Sequence, residues 1–348
     1  LILPLNGALS SYGRAIRDAV IATRFETNSQ IKIQVYDSTT EEITSLINKA
    51  SQQGAELIIG PLERQKVSTI AAIKKLPVPV LALNRTHDGS GNADLYQFGL
   101  APEDEMVQVA DQVFKEGKKN ALAIYPDSQW GERNFEAFRN RWVSLGGNII
   151  GDAPYEQQRD YSTLIKSILD VDKSEQRAAD LRRILGQRFE FTPRRRQDID
   201  FVFLLGNQAQ ARGINPTLAF FYADDIPVYS TSHIYEASDS RIESIDLNRI
   251  RFCDIPWKLT NNEPIQLAIN EQWPASASQL APFYALGVDA FRLYPRLNQL
   301  RQYPETKIYG STGVLKLNPR NVLVRKLMWA QFTDGEVVTS PMVLSPSS

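Results

Sequence analysis

The sequence is poor in the residues that do most protein chemistry. It has one cysteine, Cys253, and two histidines, His87 and His233. A single thiol excludes an internal disulfide, and two isolated histidines lack the paired spacing of a zinc site. An excess of one charge is missing too. The 39 lysines and arginines face 40 acidic residues, for a net charge of −1, so no global field draws the chain to nucleic acid or an anionic membrane. No apolar run approaches the ~18 residues that span a bilayer as a helix. The GxGxxG, Walker A, HExxH and GxSxG patterns do not occur, which leaves no nucleotide, zinc-hydrolase or serine-hydrolase signature to follow. The expectation is a chain with no catalytic centre, metal or cofactor.

What is present is a repeated strand–helix grammar. At 348 residues the chain exceeds one hydrophobic core. Residues 1–5 form an unbroken apolar strand, and 11–25 carry apolar side chains at helical spacing. Strands follow at 31–36, 57–59 and 78–83, with a helix that Thr40 is expected to cap and another over 67–73. Near Lys118 the grammar restarts, with a strand over 121–125, a helix over 131–145 stopped by Gly146-Gly147, and a strand over 148–150. A helix over 161–169, a charged helix over 174–187 and an irregular basic stretch over 189–196 come next. The unit 199–230 then reads strand–helix–strand, which belongs to a parallel sheet. The last third offers a strand over 250–255, helices over 264–273 and 281–294, and two hairpins, over 308–317 and 326–339, the latter with an Asp334-Gly335 turn.

This third is too small for its own core, so it is expected to complete the earlier lobes. The prediction is an α/β chain of two doubly wound, Rossmann-like lobes joined by several crossovers. Residues 1–117 with about 250–310 form the first, and 118–249 with about 311–348 the second. A polar and basic insertion occupies 170–198. A chain that opens on a core strand is also expected to be one domain of a longer protein.

In such folds ligands sit at strand exits or between lobes. The exits place Ser11, Glu63, Asn84 and Arg85 in the first lobe, and Asp127, Trp130, Asn207, Ser232 and Tyr235 in the second, as candidate cleft residues. Asp127 and Ser128 serve equally well as helix caps. The 88–92 stretch reads as a flexible turn, and Cys253 as a small buried hydrophobe. Arg182, Arg183, Arg188, Arg194, Arg195 and Arg196 make a basic cluster, diluted by Asp180, Glu190, Asp198 and Asp200. It is either a solvated, internally paired face or a protein-docking patch, for which Arg188, Arg194, Arg195 and Arg196 are the candidates.

The segments Leu1-Ile2-Leu3-Pro4-Leu5-Asn6-Gly7, Tyr12-Gly13, Tyr36-Asp37, Ile59-Gly60-Pro61 and Asp127-Ser128-Gln129-Trp130-Gly131 together resemble the type I periplasmic binding protein family. The stretch 194–239, with Phe252-Cys253-Asp254-Ile255-Pro256-Trp257, is similar to the C-terminal domains of outer-membrane lipoprotein activators of class A penicillin-binding proteins. That resemblance implies a non-enzymatic regulator of peptidoglycan synthesis. Its partner would be the synthase, and it would lie on the periplasmic side of the outer membrane. A lipidated N-terminal cysteine upstream of Leu1 would anchor it. The alternative it implies is a receptor holding a small solute between the lobes.

Amino-acid-binding members of the family place a small hydroxyl residue after the Gly-Pro exit, where this chain has Leu62-Glu63-Arg64. A carboxylate there would repel a ligand carboxylate by about 1–4 kcal/mol at 4 Å, unless Arg64 or Arg85 offsets it.

Overall fold

The computed structural model describes residues 1–157, 160–187, 189–236, 244–260 and 263–340. The chain divides into two units, 1–101 with 255–327 and 102–254 with 328–348. It therefore passes from one unit to the other three times. Compared with the expected lobes, helix Pro102–Lys115 and strand Arg251–Asp254 belong to the second unit, and strands Gly313–Leu317 and Leu323–Lys326 stay in the first with Ile308–Gly310. The hairpin stays because its Ser311-Thr312 loop is bound to Asp289 of helix Ala281–Leu293.

In the first unit, strands Ile58–Ile59, Val80–Ala82 and Leu95–Gln97 pair in parallel, and Ile2–Leu3 pairs in parallel with Tyr36–Asp37. The period-2 alternation of strands sorts their side chains onto two faces. Ile2, Ile58, Val80 and Ala82 pack into one core with Ile43, Leu46 and Ile47 of helix Ile43–Gln52. Leu3, Ile59, Leu81 and Leu83 pack into another with Ile16 and Val20 of helix Ser10–Glu26. Helices on both faces are what make the unit doubly wound. Two glycines permit its closest approaches. A Cβ on Gly60 (φ +108°) would lie 1.9 Å from the Ile2 carbonyl oxygen, and one on Gly287 would lie 2.6 Å from that of Ile16. The second contact lets helix Ala281–Leu293 lie against Ser10–Glu26.

Two local expectations are corrected here. The parallel register pairs Ile2 with Tyr36, so residues 31–35 fall outside it and the expected 31–36 strand shrinks to Tyr36–Asp37. Thr40 is not a cap: its hydroxyl donates to the Asp37 carbonyl, and Glu42 occupies the N-cap position without a side-chain bond.

In the second unit a seven-stranded sheet runs in the order Glu336–Thr339, Met328–Thr333, Arg251–Asp254, Val228–Ser230, Phe201–Leu204, Asn120–Pro126, Asn148–Tyr155. The last five are mutually parallel, and the closing hairpin adds the first two antiparallel. Its core is aromatic: Phe138 stacks on Phe203 at 4.0 Å between centroids, and Trp142 meets Phe201 edge-on at 5.2 Å. Gly147 lies against the Trp142 ring, where a Cβ would come within 2.1 Å. The Asp334-Gly335 turn has positive φ at both residues (51° and 76°), as a two-residue hairpin turn of this type requires.

A buried polar node stabilises the first unit. Asp289, on helix Ala281–Leu293, is 1% exposed. Its carboxylate accepts from the Ser311 amide (2.8 Å), the Thr312 amide (2.7 Å) and the Thr312 hydroxyl (2.7 Å). An Asp289→Asn substitution turns an NH2 toward one of these donors and leaves buried groups unpaired. It should lower unfolding stability by about 1–3 kcal/mol, measured as a reduced urea midpoint at unchanged slope. An unshifted midpoint would remove Asp289 as a structural node.

Candidate functional site

Each unit organises its own strand exits. In the first, Asp37 ends its strand and accepts from the Thr39 amide (2.9 Å) and hydroxyl (2.8 Å), the Leu5 amide (3.1 Å) and the Asn6 side chain (2.5 Å). Burial alone would raise its pKa, but these bonds to the charged form outweigh it and hold the carboxyl at about 2. Asp37 thus clamps the 4–7 and 38–40 loops together.

Beside it, Glu63 Oε1 accepts from the Ser38 hydroxyl (2.6 Å) and from Lys66 Nζ (2.7 Å), and Lys66 also donates to the Ser38 carbonyl. The cation against Glu63 is therefore Lys66, one helical turn along helix Arg64–Ala71. The i,i+3 spacing of Glu63 and Lys66 carried that signal in the sequence.

Asn84 donates to the Leu62 carbonyl at 2.9 Å and accepts from the Arg85 amide at 2.9 Å, so it ties two strand exits together. Arg85 is half-buried beside it, and Ser11 is exposed in the first turn of its helix. Glu63 and Asn84 are brought to neighbouring exits, both tied to the 61–63 loop. Ser11 stands apart on its helix.

In the second unit the candidates separate into caps and a cluster. Asn207 caps helix Gln208–Phe220 in a reciprocal capping box with Gln210, at 3.0 and 2.9 Å. Asp127 is exposed, and Ser128 is the cap of helix Gln129–Ser144, accepting from the Gly131 amide at 3.1 Å. Tyr235 is half-buried and packs against the core rings of Phe252 (tilted, 5.5 Å) and Phe332 (edge-on, 6.2 Å).

The cluster forms around a residue the sequence reading passed over. Glu105 is 8% exposed and accepts from both the Ser232 amide and the Ser232 hydroxyl at 3.0 Å. His233 Nδ1 lies 3.9 Å from Glu105 Oε2 and 3.1 Å from the Thr231 hydroxyl, and its ring meets Trp130 edge-on at 5.1 Å. Helix Pro102–Lys115, which carries Glu105, was missed although its start has proline at the first position and then three acids. That is a helix N-terminus signature.

The basic stretch is only partly a surface. Arg195 is 9% exposed; it grips both Asp225 oxygens at 2.7 Å and donates to the Tyr222 and Arg196 carbonyls. Arg196 forms a two-pronged pair with Asp198, each bond 2.7 Å. This is the internally paired alternative: a guanidinium already saturated by carboxylate and carbonyl oxygens has few donors left for a partner. Arg194 is exposed. Arg188 lies outside the described residues.

Away from the strand exits, a cavity of about 600 Å³ in the first unit is lined by Ile2, Ile31, Ile33, Leu57 and Phe291, at the strand starts. Its Tyr294 hydroxyl donates to Glu56 at 2.5 Å. No cluster of three or more metal-ligating side chains occurs among the described residues.

Comparison with known proteins supplies context for this geometry. Residues 1–335 match the family model described as "LppC putative lipoprotein". Penicillin-binding protein activator LpoA of Photobacterium profundum is 28% identical over 345 residues, covering 96% of this chain and 56% of that protein. The LpoA of Aliivibrio fischeri is 26% identical, covering 95% and 55%. The chain thus spans about half the length of the curated relatives it matches. The crystal structure of the C-domain of LpoA from Haemophilus influenzae, titled a regulator of PBP1A, superposes with a TM-score of 0.74 at 24% identity, covering 97% of this chain and 98% of that one. A leucine-binding protein of Thermotoga maritima superposes at 0.53 with 14% identity, covering 97% and 96%. Both solved structures share the fold with this chain.

Two measurements test the roles assigned to Asp37 and Arg195. A carboxyl held at about 2 when folded and near 3.8 when unfolded contributes stability that is present above pH 4 and lost as pH falls toward 2. Thermal melts of Asp37→Asn at pH 4, 3 and 2 should therefore show a shallower acid slope than the wild type; parallel slopes would sink the clamp. Arg195→Ala unpairs Asp225 and the Tyr222 carbonyl, and should cost about 1–3 kcal/mol in denaturant unfolding.

Proposed function

The chain belongs to the LppC lipoprotein family, and on that footing we propose that it is the synthase-binding module of an outer-membrane lipoprotein activator. It binds a class A penicillin-binding protein and stimulates peptidoglycan synthesis from the periplasmic side. The observation that carries this reading is the alignment with penicillin-binding protein activators over 95–96% of the chain. The match to a C-domain of the same size, 97% against 98% coverage, supports treating the chain as one such module.

The site chemistry agrees with a binding role rather than a reaction. Glu105 and Asp37 are occupied as acceptors of backbone and hydroxyl groups. Glu63 Oε1 is held by Ser38 and Lys66. A general base needs a proton to accept from a positioned substrate, and carboxylates spent on loop clamps are poorly placed for it. The solute-receptor alternative draws on the shared fold of the leucine-binding protein, and a shared fold does not carry a ligand with it.

The test uses a purified class A synthase from the same organism. Saturating amounts of this chain should raise glycan polymerisation or cross-linking several-fold and bind the synthase directly. If both rates stay at the level of the synthase alone and no binding is detected, the reading fails.

A further inference from the structure

Helix Val171–Leu185 carries an apolar stripe that outlasts its support. Val171, Ser174 and Ala178 are buried, and their i, i+3, i+7 spacing places them on one face. The same face continues through Leu181 and Leu185, with Ile184 beside it. These three are 49%, 59% and 73% exposed, respectively. The helix does not fray where its support ends. It runs to Gly186, whose left-handed conformation (φ +65°) lets its amide close on the Arg182 carbonyl. Two ordered turns thus hold apolar side chains in water.

Charge surrounds this stripe. Between residues 177 and 196 seven arginines face two carboxylates, a local net of +5 in a chain whose total is −1. The roles of the arginines differ. Arg195 and Arg196 are held by Asp225 and Asp198, and Arg183 is paired with Asp180 at 3.2 Å. Arg177 and Arg182 are exposed on the helix itself. Arg182 lies over the rings of Phe189 and Phe191, 5.3 and 6.0 Å from their centroids, which keeps its charge beside the stripe while its polar edge stays accessible.

Resting on the reading above, we propose that Leu181, Ile184 and Leu185, flanked by Arg177 and Arg182, form the surface that docks the synthase. The matching patch on the partner is an apolar anchor site rimmed by carboxylates. The choice of an acidic partner follows from charge complementarity, since a like-charged rim would be repelled on approach. An apolar centre free of charge with arginine beside it also fits the anatomy of an interface patch, in which arginine is enriched and the core is depleted of charged residues. The docking face therefore differs from Arg194, Arg195 and Arg196: Arg195 and Arg196 are held by Asp225 and Asp198, and the Arg194 amide donates to Ser174 of the same helix at 3.1 Å.

Two double variants of this chain test the proposal against the purified periplasmic region of a class A synthase. Ile184→Ser with Leu185→Ser replaces exposed side chains, so circular dichroism and melting temperature should stay at wild-type values while affinity falls at least about tenfold. Arg177→Glu with Arg182→Glu should weaken binding most at low salt, with the deficit shrinking as salt screens the charges. Wild-type affinity in both variants overturns the docking face but leaves the activator reading standing. Failure of the wild-type chain to bind any class A synthase overturns that reading and the proposal together. Light scattering supplies the last outcome. A wild-type dimer dissolved by the serine variant, with synthase affinity unchanged, would show that a second copy covers the stripe and would reject the synthase as its occupant.

Discussion

The returning stretch of the first unit is fastened by one buried carboxylate. Asp289 draws the Ser311-Thr312 loop onto helix Ala281–Leu293 through three short hydrogen bonds. Burial pushes its pKa up, and the donations from Thr312 and Ser311 oppose that push. The loop cannot sit elsewhere, because Gly310 passes so near that a Cβ would lie 2.6 Å from the carboxylate. Ser311 extends the node. Its carbonyl accepts from the Trp257 amide at 3.0 Å, and its hydroxyl donates to Glu263, which is paired with Arg292 at 2.8 Å. Four separated stretches of the returning chain are fastened at one point. The node fixes the returning stretch internally, and helix Ala281–Leu293 joins it to the earlier part by packing Leu286, Ala290 and Phe291 into one core with Leu3, Ile16 and Val20.

The second unit repeats the device on a smaller scale. Glu105 accepts twice from Ser232, joining the first turn of helix Pro102–Lys115 to the exit of strand Val228–Ser230. At the other end of the same helix, Glu116 bonds Arg251 at 3.0 Å and also the Tyr229 hydroxyl. Removing one partner from a buried, hydrogen-bonded charge costs more than the bond itself contributes. The buried carboxylates Glu105 and Asp289 are therefore strong constraints on the fold and are poorly available for chemistry, whereas Glu116 is exposed.

The sequence made the architecture legible wherever packing is periodic. The apolar runs at 57–59 and 78–83 marked strands, and helical spacing picked out Ile16, Ala19 and Val20. The Asp334-Gly335 and Gly146-Gly147 punctuation was readable because positive φ favours glycine so strongly. The site was less legible. A strand-exit position says that a side chain lies near a loop, but not which partner it meets. Asn207 and Ser128 proved to be caps, and Tyr235 a half-buried ring packed against the core. Glu105 was invisible as a partner of Ser232 because 127 residues separate them. Likewise Arg194, Arg195 and Arg196 look equivalent in sequence, yet their environments differ because Asp225 and Asp198 reach only two of them.

That last contrast bears on how a module of this fold acts through its surface. A polar group at a strand exit can serve a ligand only if the fold leaves its hydrogen-bonding capacity open. In the described exits Asp37, Asn84, Asn207 and Glu105 spend theirs on neighbouring loops and helix ends. Apolar side chains have the opposite economy. Ile184 and Leu185 satisfy nothing internally, and their exposure disfavours the isolated state by an amount that association can recover. Glu63 is the exception among these exits, since its Oε1 is held by Ser38 and Lys66 while its Oε2 is buried without a partner; the proposed contact instead draws on the aliphatic stripe along a helix face. Under the proposed role this has a mechanical merit: a helix closed at Gly186 and anchored at Val171, Ser174 and Ala178 would present its contacts preorganised and lose little entropy on docking.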